Sequence, residues 1–145
     1  MRIENKKAYF DYEIIEKIEA GIALQGPEVK SLREGKGSIK ESFARIENEE
    51  VFLHNFYVAP YPAALEKPLP LRKKKLLLNR REIKKFTRKG EEKGLTLVPL
   101  AVYINKRGLV KVEIALAKGK KTYDKRQKIK ERDIKLDIDR KLKRG

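Results

Sequence analysis

Tyr12-Glu13-Ile14-Ile15-Glu16-Lys17-Ile18-Glu19-Ala20-Gly21-Ile22-Ala23-Leu24 is the stretch on which the fold turns. Tyr12, Ile14, Ile18, Ala20, Ile22 and Leu24 fall on even positions, with Glu13, Lys17 and Glu19 between them. The period of two breaks only at Ile15 and Glu16, and it marks a strand with one buried face. The strand is long, and Gly21 is expected to mark a bulge or bend of the kind a barrel corner needs.

Working outward, Gly26-Pro27-Glu28-Val29-Lys30-Ser31-Leu32-Arg33-Glu34-Gly35 predicts a short helix. Pro27 suits its first turn, Gly35 its end, and Val29 with Leu32 gives it an apolar pair. Residues 39–46 and 51–58 read as a hairpin around Asn48-Glu49-Glu50. Pro60, Pro62, Pro68 and Pro70 make residues 59–74 a long exposed loop. Asn79-Arg80-Arg81-Glu82 has the N-cap and N3 chemistry of a capping box, with Ile83 and Phe86 following at i, i+3. It predicts a helix over 80–89 or a little beyond, stopping near Gly90 or Gly94. Two further strands, 95–104 and 109–117, flank the turn Asn105-Lys106-Arg107-Gly108. Five or six strands with two short helices predict a mainly β fold, a small closed antiparallel barrel over residues 1–117; an OB-type barrel is a natural candidate, which composition alone does not separate from another small β-barrel.

Beyond Ala117 the pattern changes. Residues 118–145 carry 13 Lys/Arg against five Asp/Glu, which is half of the chain's net charge of +16. Ile134, Ile138 and Leu142 recur every four residues, and Glu131/Lys135, Asp137/Lys141 and Asp139/Lys143 are helix-favouring pairs. The apolar stripe is thin, so a basic, helix-capable tail is expected that is mobile when free and orders on a partner. One-sided charge of this size calls for a polyanion, RNA first of all. Tyr123 between Lys121 and Asp124-Lys125-Arg126 adds a ring that can stack on a base.

Other classes fit poorly. With no Cys there are no disulfides, thiolate zinc sites or thiol nucleophiles, and a cytoplasmic location is expected. The longest stretch free of Lys, Arg, His, Asp and Glu, residues 94–105, falls far short of the roughly 18 to 20 residues of a membrane span. The N-terminal residues have no apolar signal region. His54, the one histidine, lies in a strand beside Phe52 and Phe56 and reads as structural rather than catalytic. Asp133, Asp137 and Asp139 sit amid lysines and read as solvated helix charges rather than a metal site. No phosphate-binding glycine loop or nucleophile set is present. A binding protein without metal or cofactor is expected, not an enzyme.

Taken in order, several runs resemble the SsrA-binding protein family, also called small protein B. They are Asn5-Lys6-Lys7-Ala8 with Tyr12, and Glu19-Ala20-Gly21-Ile22-Ala23-Leu24-Gln25-Gly26-Pro27-Glu28-Val29-Lys30-Ser31-Leu32-Arg33. Lys75-Leu76-Leu77-Leu78-Asn79 with Glu82, and Gly94-Leu95-Thr96-Leu97-Val98-Pro99-Leu100, follow. The last is Ala115-Leu116-Ala117-Lys118-Gly119-Lys120-Lys121-Thr122-Tyr123-Asp124-Lys125-Arg126 with Lys130-Glu131. The resemblance spans nearly the whole chain. It implies an OB-fold barrel that grips the tRNA-like domain of transfer-messenger RNA (tmRNA) and delivers it to stalled ribosomes. It implies a tail that enters the empty mRNA channel and decoding region of the small subunit, and an adaptor that does not catalyse.

By the resemblance, the RNA-contact positions fall on Glu19, Leu77 and Asn79. Each has a structural alternative: the solvent face of a strand for Glu19, core for Leu77, a helix cap for Asn79. Lys118, Lys120, Lys121, Tyr123, Asp124, Lys125 and Arg126 fall on the tail motif placed near the decoding bases. The approach to the Leu-Leu-Leu run departs from the family's usual Asp-Pro-x-Arg-x-Arg-Lys. Here it reads Pro70-Leu71-Arg72-Lys73-Lys74-Lys75. Arg72, Lys73, Lys74 and Lys75 keep the charge for phosphate with fewer arginine forks. A monomer is expected. The competing readings are a general single-strand or ribosomal RNA-binding barrel without tmRNA preference and, further off, an RNA-processing enzyme.

Overall fold

The computed structural model describes residues 1–120; the remaining 25, from 121 to 145, lie outside the described residues. The chain runs β1 (Arg2–Glu4), α1 (Lys6–Asp11), β2 (Tyr12–Ile22), α2 (Gly26–Arg33), β3 (Gly37–Ser38) and β4 (Phe43–Glu47). It continues through β5 (Glu50–His54), β6 (Tyr57–Val58), β7 (Lys74–Leu77), α3 (Arg80–Lys93), β8 (Thr96–Ile104) and β9 (Val110–Gly119). Seven strands form one antiparallel sheet in the order β1-β8-β9-β2-β7-β5-β4, and β3 pairs with β6 apart from it.

The break in the β2 alternation is a β-bulge. The β2–β9 register slips between Ile14 and Glu16, and Ile15 is the extra, exposed residue. An inserted residue reverses the face on which the following side chains lie. Ile18, Ala20 and Ile22 therefore pack in the main core with Leu32, Val51, Leu53, Leu76 and Ile114. Tyr12 and Ile14 pack instead on a second cluster of Ala8, Val98, Leu100, Ala115 and Ala117. Strand β8 repeats the device: its register slips between Pro99 and Ala101, where a proline is tolerated. Gly21, the residue expected to carry the bulge, pairs regularly with Lys111 on one side and Leu77 on the other.

The sheet curls until β4 faces β8, but no ladder joins the two among the described residues. The expected closed barrel is therefore not found. A groove of about 660 Å³ occupies the seam, lined by Phe43, Ala44 and Ile46 on one side and Leu95, Thr96 and Leu97 on the other. Phe86 and Thr87 of α3 line the same groove.

Both expected helices form. Gln25 caps α2 in a capping box with Glu28, and Pro27 lies in the first turn. Asn79 caps α3 in the same way with Glu82, and Gly94 (φ 64°) ends it in the left-handed conformation. The hairpin turn Asn48-Glu49 has positive φ at both residues, the geometry that matches strand twist in a two-residue loop. Residues 51–58 do not form one strand: Asn55 (φ 56°) ends β5 and sends β6 to pair with β3. At the N-terminus α1 had no expectation attached to it. Asn5 anchors it, its side chain accepting from the Ala8 N–H at 3.3 Å while its own amide donates to the Pro99 carbonyl at 3.2 Å.

Candidate nucleic-acid interface

Register alone assembles a polar surface on the outside of the sheet. Arg2, Tyr103, Lys111, Gly21 and Leu77 are successive partners across five strands. A second row, Glu4, Ala101, Glu113 and Glu19, runs beside it. Glu19 is exposed, and one of its carboxylate oxygens accepts a hydrogen bond from the Tyr103 hydroxyl. The Arg2 guanidinium lies 5.3 Å from the centroid of the same ring. Burial and, next, the Glu19 carboxylate push the Tyr103 phenol up to about 12. Lys111 has no carboxylate within ion-pair distance among the described residues.

Leu77 is not core. It is 53% exposed, whereas Leu76 is 1% exposed and belongs to the core. Its side chain lies over Gly21, where an added Cβ would come within 3.3 Å of it. Asn79 follows as the α3 cap, its side chain accepting from the Glu82 N–H at 2.9 Å. Glu19, Leu77 and Asn79 thus face one outer surface, on β2, on β7 and at the start of α3.

From Leu77 and Asn79 a groove of about 1030 Å³ continues between the β4–β5 turn and α3. Arg80, Lys84 and Arg88 line it at i, i+4 and i+8, exposed and without an ion-pair partner among the described residues. The adjacent stripe is half compensated, since Lys85 and Lys89 share the one carboxylate of Glu16 at 2.5 and 3.3 Å. The Lys85 hydrogen bond holds the Glu16 carboxyl below the usual carboxylate range.

The run Arg72 to Lys75 does not act as one basic patch. Strand alternation turns Lys75 and Leu77 outward and Lys74 and Leu76 inward. The Lys74 side chain is 0% exposed, and its ammonium donates to the carbonyls of Phe56 at 2.9 Å and Arg72 at 2.8 Å. The Glu28 carboxylate, itself buried, lies 3.7 Å from it. Arg72 reaches the other Glu28 oxygen at 2.5 Å. Lys74 is therefore a structural cation that no phosphate can reach in this conformation. Lys73 and Lys75 remain on the surface, paired with Glu47 and Glu50, each at 3.0 Å.

Of the tail positions, Lys118 is exposed near the end of β9, which runs two residues past the expected end at Ala117. Lys120 is tied to the body: its N–H donates to the Asp11 carbonyl at 3.0 Å and its ammonium to the Tyr9 carbonyl at 3.3 Å. Lys121, Tyr123, Asp124, Lys125 and Arg126 lie outside the described residues, as do Asp133, Asp137 and Asp139. Among the described residues no group of three His, Asp or Glu side chains is placed to hold a metal ion. No described helix is long and apolar enough to cross a membrane. His54 is bound up in structure, its Nε2 2.8 Å from Glu47 and its ring stacked on Phe43.

The family model described as SmpB protein matches residues 2–144. The chain belongs to the SmpB family. An SsrA-binding protein of Persephonella marina is 56% identical over 140 residues, covering 96% of this chain and 91% of the relative. One of Sulfurihydrogenibium is 57% identical over 140 residues with the same coverages. A solved structure described as "tmRNA-SmpB: a journey to the center of the bacterial ribosome" matches with a TM-score of 0.67 and 52% identity. It covers 83% of this chain and 85% of the other. Tyr103, Lys111 and the Arg80/Lys84/Arg88 stripe were not singled out in the sequence of this SmpB family member. Alternation alone was enough to turn Lys111 outward; only the register brings Tyr103 to Glu19.

Proposed function

We propose that this chain binds the tRNA-like domain of tmRNA and delivers it to stalled ribosomes for trans-translation. The observation that carries the reading is the convergence of Glu19, Leu77 and Asn79 on one outer surface, with uncompensated Arg80, Lys84, Arg88 and Lys111 around it. Cations there neutralise phosphates and release counterions. Glu19 accepts from a base amino group, as glutamate does with cytosine. The N-terminus of α3 offers backbone N–H groups and a favourable dipole to a phosphate beside Asn79. Lys73 and Lys75 serve the same surface once their carboxylate partners yield to phosphate, while Arg72 and Lys74 hold its underside together.

The curled sheet is read as an OB-type barrel left open at the β4–β8 seam. Residues 118–145 form the second functional unit, with Lys118, Lys120, Lys121, Tyr123, Asp124, Lys125 and Arg126 directed to the mRNA channel and decoding centre of the small subunit. The protein acts in the cytoplasm as a monomeric adaptor without a cofactor or a catalytic step of its own.

The test is competition binding at about 0.15 M salt, where exposed charges more than a Debye length apart are largely screened. Labelled tRNA-like domain competes against bulk tRNA and single-stranded RNA of equal length. A preference of about a hundredfold, or about 2.7 kcal/mol, is expected. Equal competition would leave a general RNA-binding barrel.

A further inference from the structure

The outer face of the β4–β5 hairpin carries a different set of groups. Alternation sends Val51 and Leu53 into the core and leaves Phe52 and His54 on the other face, while β4 exposes Phe43 and Arg45. Register sets Phe43 opposite His54, Arg45 opposite Phe52, and Phe52 opposite Lys75 of β7. The Phe43 and His54 rings are stacked, with centroids 5.0 Å apart and planes inclined by 6°. The Arg45 guanidinium lies 5.3 Å from the Phe43 centroid, and the Lys73 ammonium 4.4 Å from that of Phe52. Phe43 remains 38% exposed on a strand at the sheet edge. An exposed apolar ring on an edge strand is an association hazard unless something covers it.

Rings interleaved with cations suit unpaired nucleic acid: every base has a face to stack, and the cations meet the phosphates between bases. Here Glu47 and Glu50 already hold Lys73 and Lys75, so charge alone gives an anion little. Stacking has to supply most of the affinity. A protein partner would meet rings already covered by charged heads, whereas a polynucleotide draws those heads onto its phosphates and uncovers the rings.

We propose that Phe43, Phe52 and His54, with Arg45 and Lys73, form a stacking platform for unpaired bases of single-stranded RNA. The rings lie apart from Glu19, Leu77 and Asn79, but the platform shares Lys73 with that surface and runs into it through Lys75 and Leu77 on β7. It stands whether or not that surface prefers a tRNA-like fold.

The experiment uses the full-length protein and a short single-stranded RNA containing 5-bromouridine. The complex is photo-crosslinked at about 0.15 M and about 0.5 M salt, and the adducts are mapped by mass spectrometry. Crosslinks at Phe43, Phe52 or His54 that persist at the higher salt are expected. Phe43→Leu, which keeps apolar bulk but removes the ring, should weaken binding of the same RNA roughly tenfold, about 1.4 kcal/mol. Phe43→Tyr should restore it. Adducts confined to residues 121–145, or equal affinity for Phe43→Leu and the parent protein, would overturn the proposal. The wild-type map decides the matter even if the leucine variant folds poorly.

Discussion

Glu28→Gln changes one oxygen to an amide and should cost much of the protein's stability. The Glu28 side chain is 3% exposed and meets Arg72 at 2.5 Å and Lys74 at 3.7 Å. It also accepts the Gln25 N–H at 2.8 Å as part of the α2 capping box. Glutamine keeps the shape and an acceptor for that bond but removes the negative charge. Removing one partner of a buried ion pair costs about 3–5 kcal/mol, because the other charge is left uncompensated. The Arg72 side chain is 31% exposed and can turn to water, so most of the penalty falls on Lys74 and the lower end applies, about 3 kcal/mol. Against a total of about 5–15 kcal/mol, that is a large share. The melting midpoint should fall by about 6–12 °C.

The pH dependence makes the reasoning specific. Burial lowers the Lys74 pKa from its ordinary 10.5, and the Glu28 charge is the first of the opposing influences. In the glutamine variant that opposition is gone and the pKa falls further. Between the folded and unfolded pKa the folded state binds fewer protons, so stability rises with pH across that window. The variant has the wider window, and its deficit should shrink between about pH 7 and about pH 10. Urea unfolding at both values measures this. A deficit under about 1 kcal/mol at neutral pH, the size of a surface pair, would refute the buried-charge argument. So would a deficit that does not change with pH.

Glu19→Arg should weaken binding to the tRNA-like domain about tenfold despite the added positive charge; tighter binding would mean that bulk charge governs the surface. Spectrophotometric titration should find the Tyr103 phenol ionising at about 12, and Glu19→Gln should bring it only part of the way down, because burial remains; no change would sever the Tyr103–Glu19 link. In Gly37→Ala the new Cβ would lie 2.7 Å from Leu32 Cδ2 and 3.0 Å from the Tyr57 carbonyl oxygen. A loss of about 1–3 kcal/mol is expected in chemical denaturation, and a neutral result would show that β3 and α2 can part at no cost. Deleting residues 121–145 should spare tmRNA binding and abolish peptide tagging on stalled ribosomes; tagging by the truncated chain would end the tail assignment.

Most of the elements were legible because each rests on local chemistry. Alternation placed β2 and β9, Pro27 and Gly35 bracketed α2, and the capping box at Asn79 placed α3. What stayed hidden depends on partners distant in sequence. The break at Ile15 could be seen, but the two clusters it separates are completed by residues as distant as Ile114 and Ala117, about a hundred positions downstream. Lys74 read as one of four equivalent cations, and only the approach of Glu28 from α2 makes it internal. Alternation placed Leu77 on a face without saying which face was wet. The candidate surface was legible as residues, because the resemblance supplied them, but not as a surface, because five strands must pair before Arg2 and Leu77 share a row.

The net charge of +16 explains why the chain should bind RNA, but it gives no reason to choose one RNA over another. Uncompensated cations attract every phosphate backbone alike. Discrimination needs a group that penalises the wrong ligand, and a carboxylate amid cations is such a group. Glu19 repels any phosphate laid across it, and on the proposed reading only a base amino group at that point recovers the loss. The penalty works only if the carboxylate cannot swing away. Tyr103 holds one of its oxygens, Arg2 lies over the Tyr103 ring, and the other oxygen has no partner among the described residues. On the proposed reading the outer face of the sheet is thus built to choose, and the tail, with half of the charge on 28 residues, to hold on wherever the chosen RNA is taken.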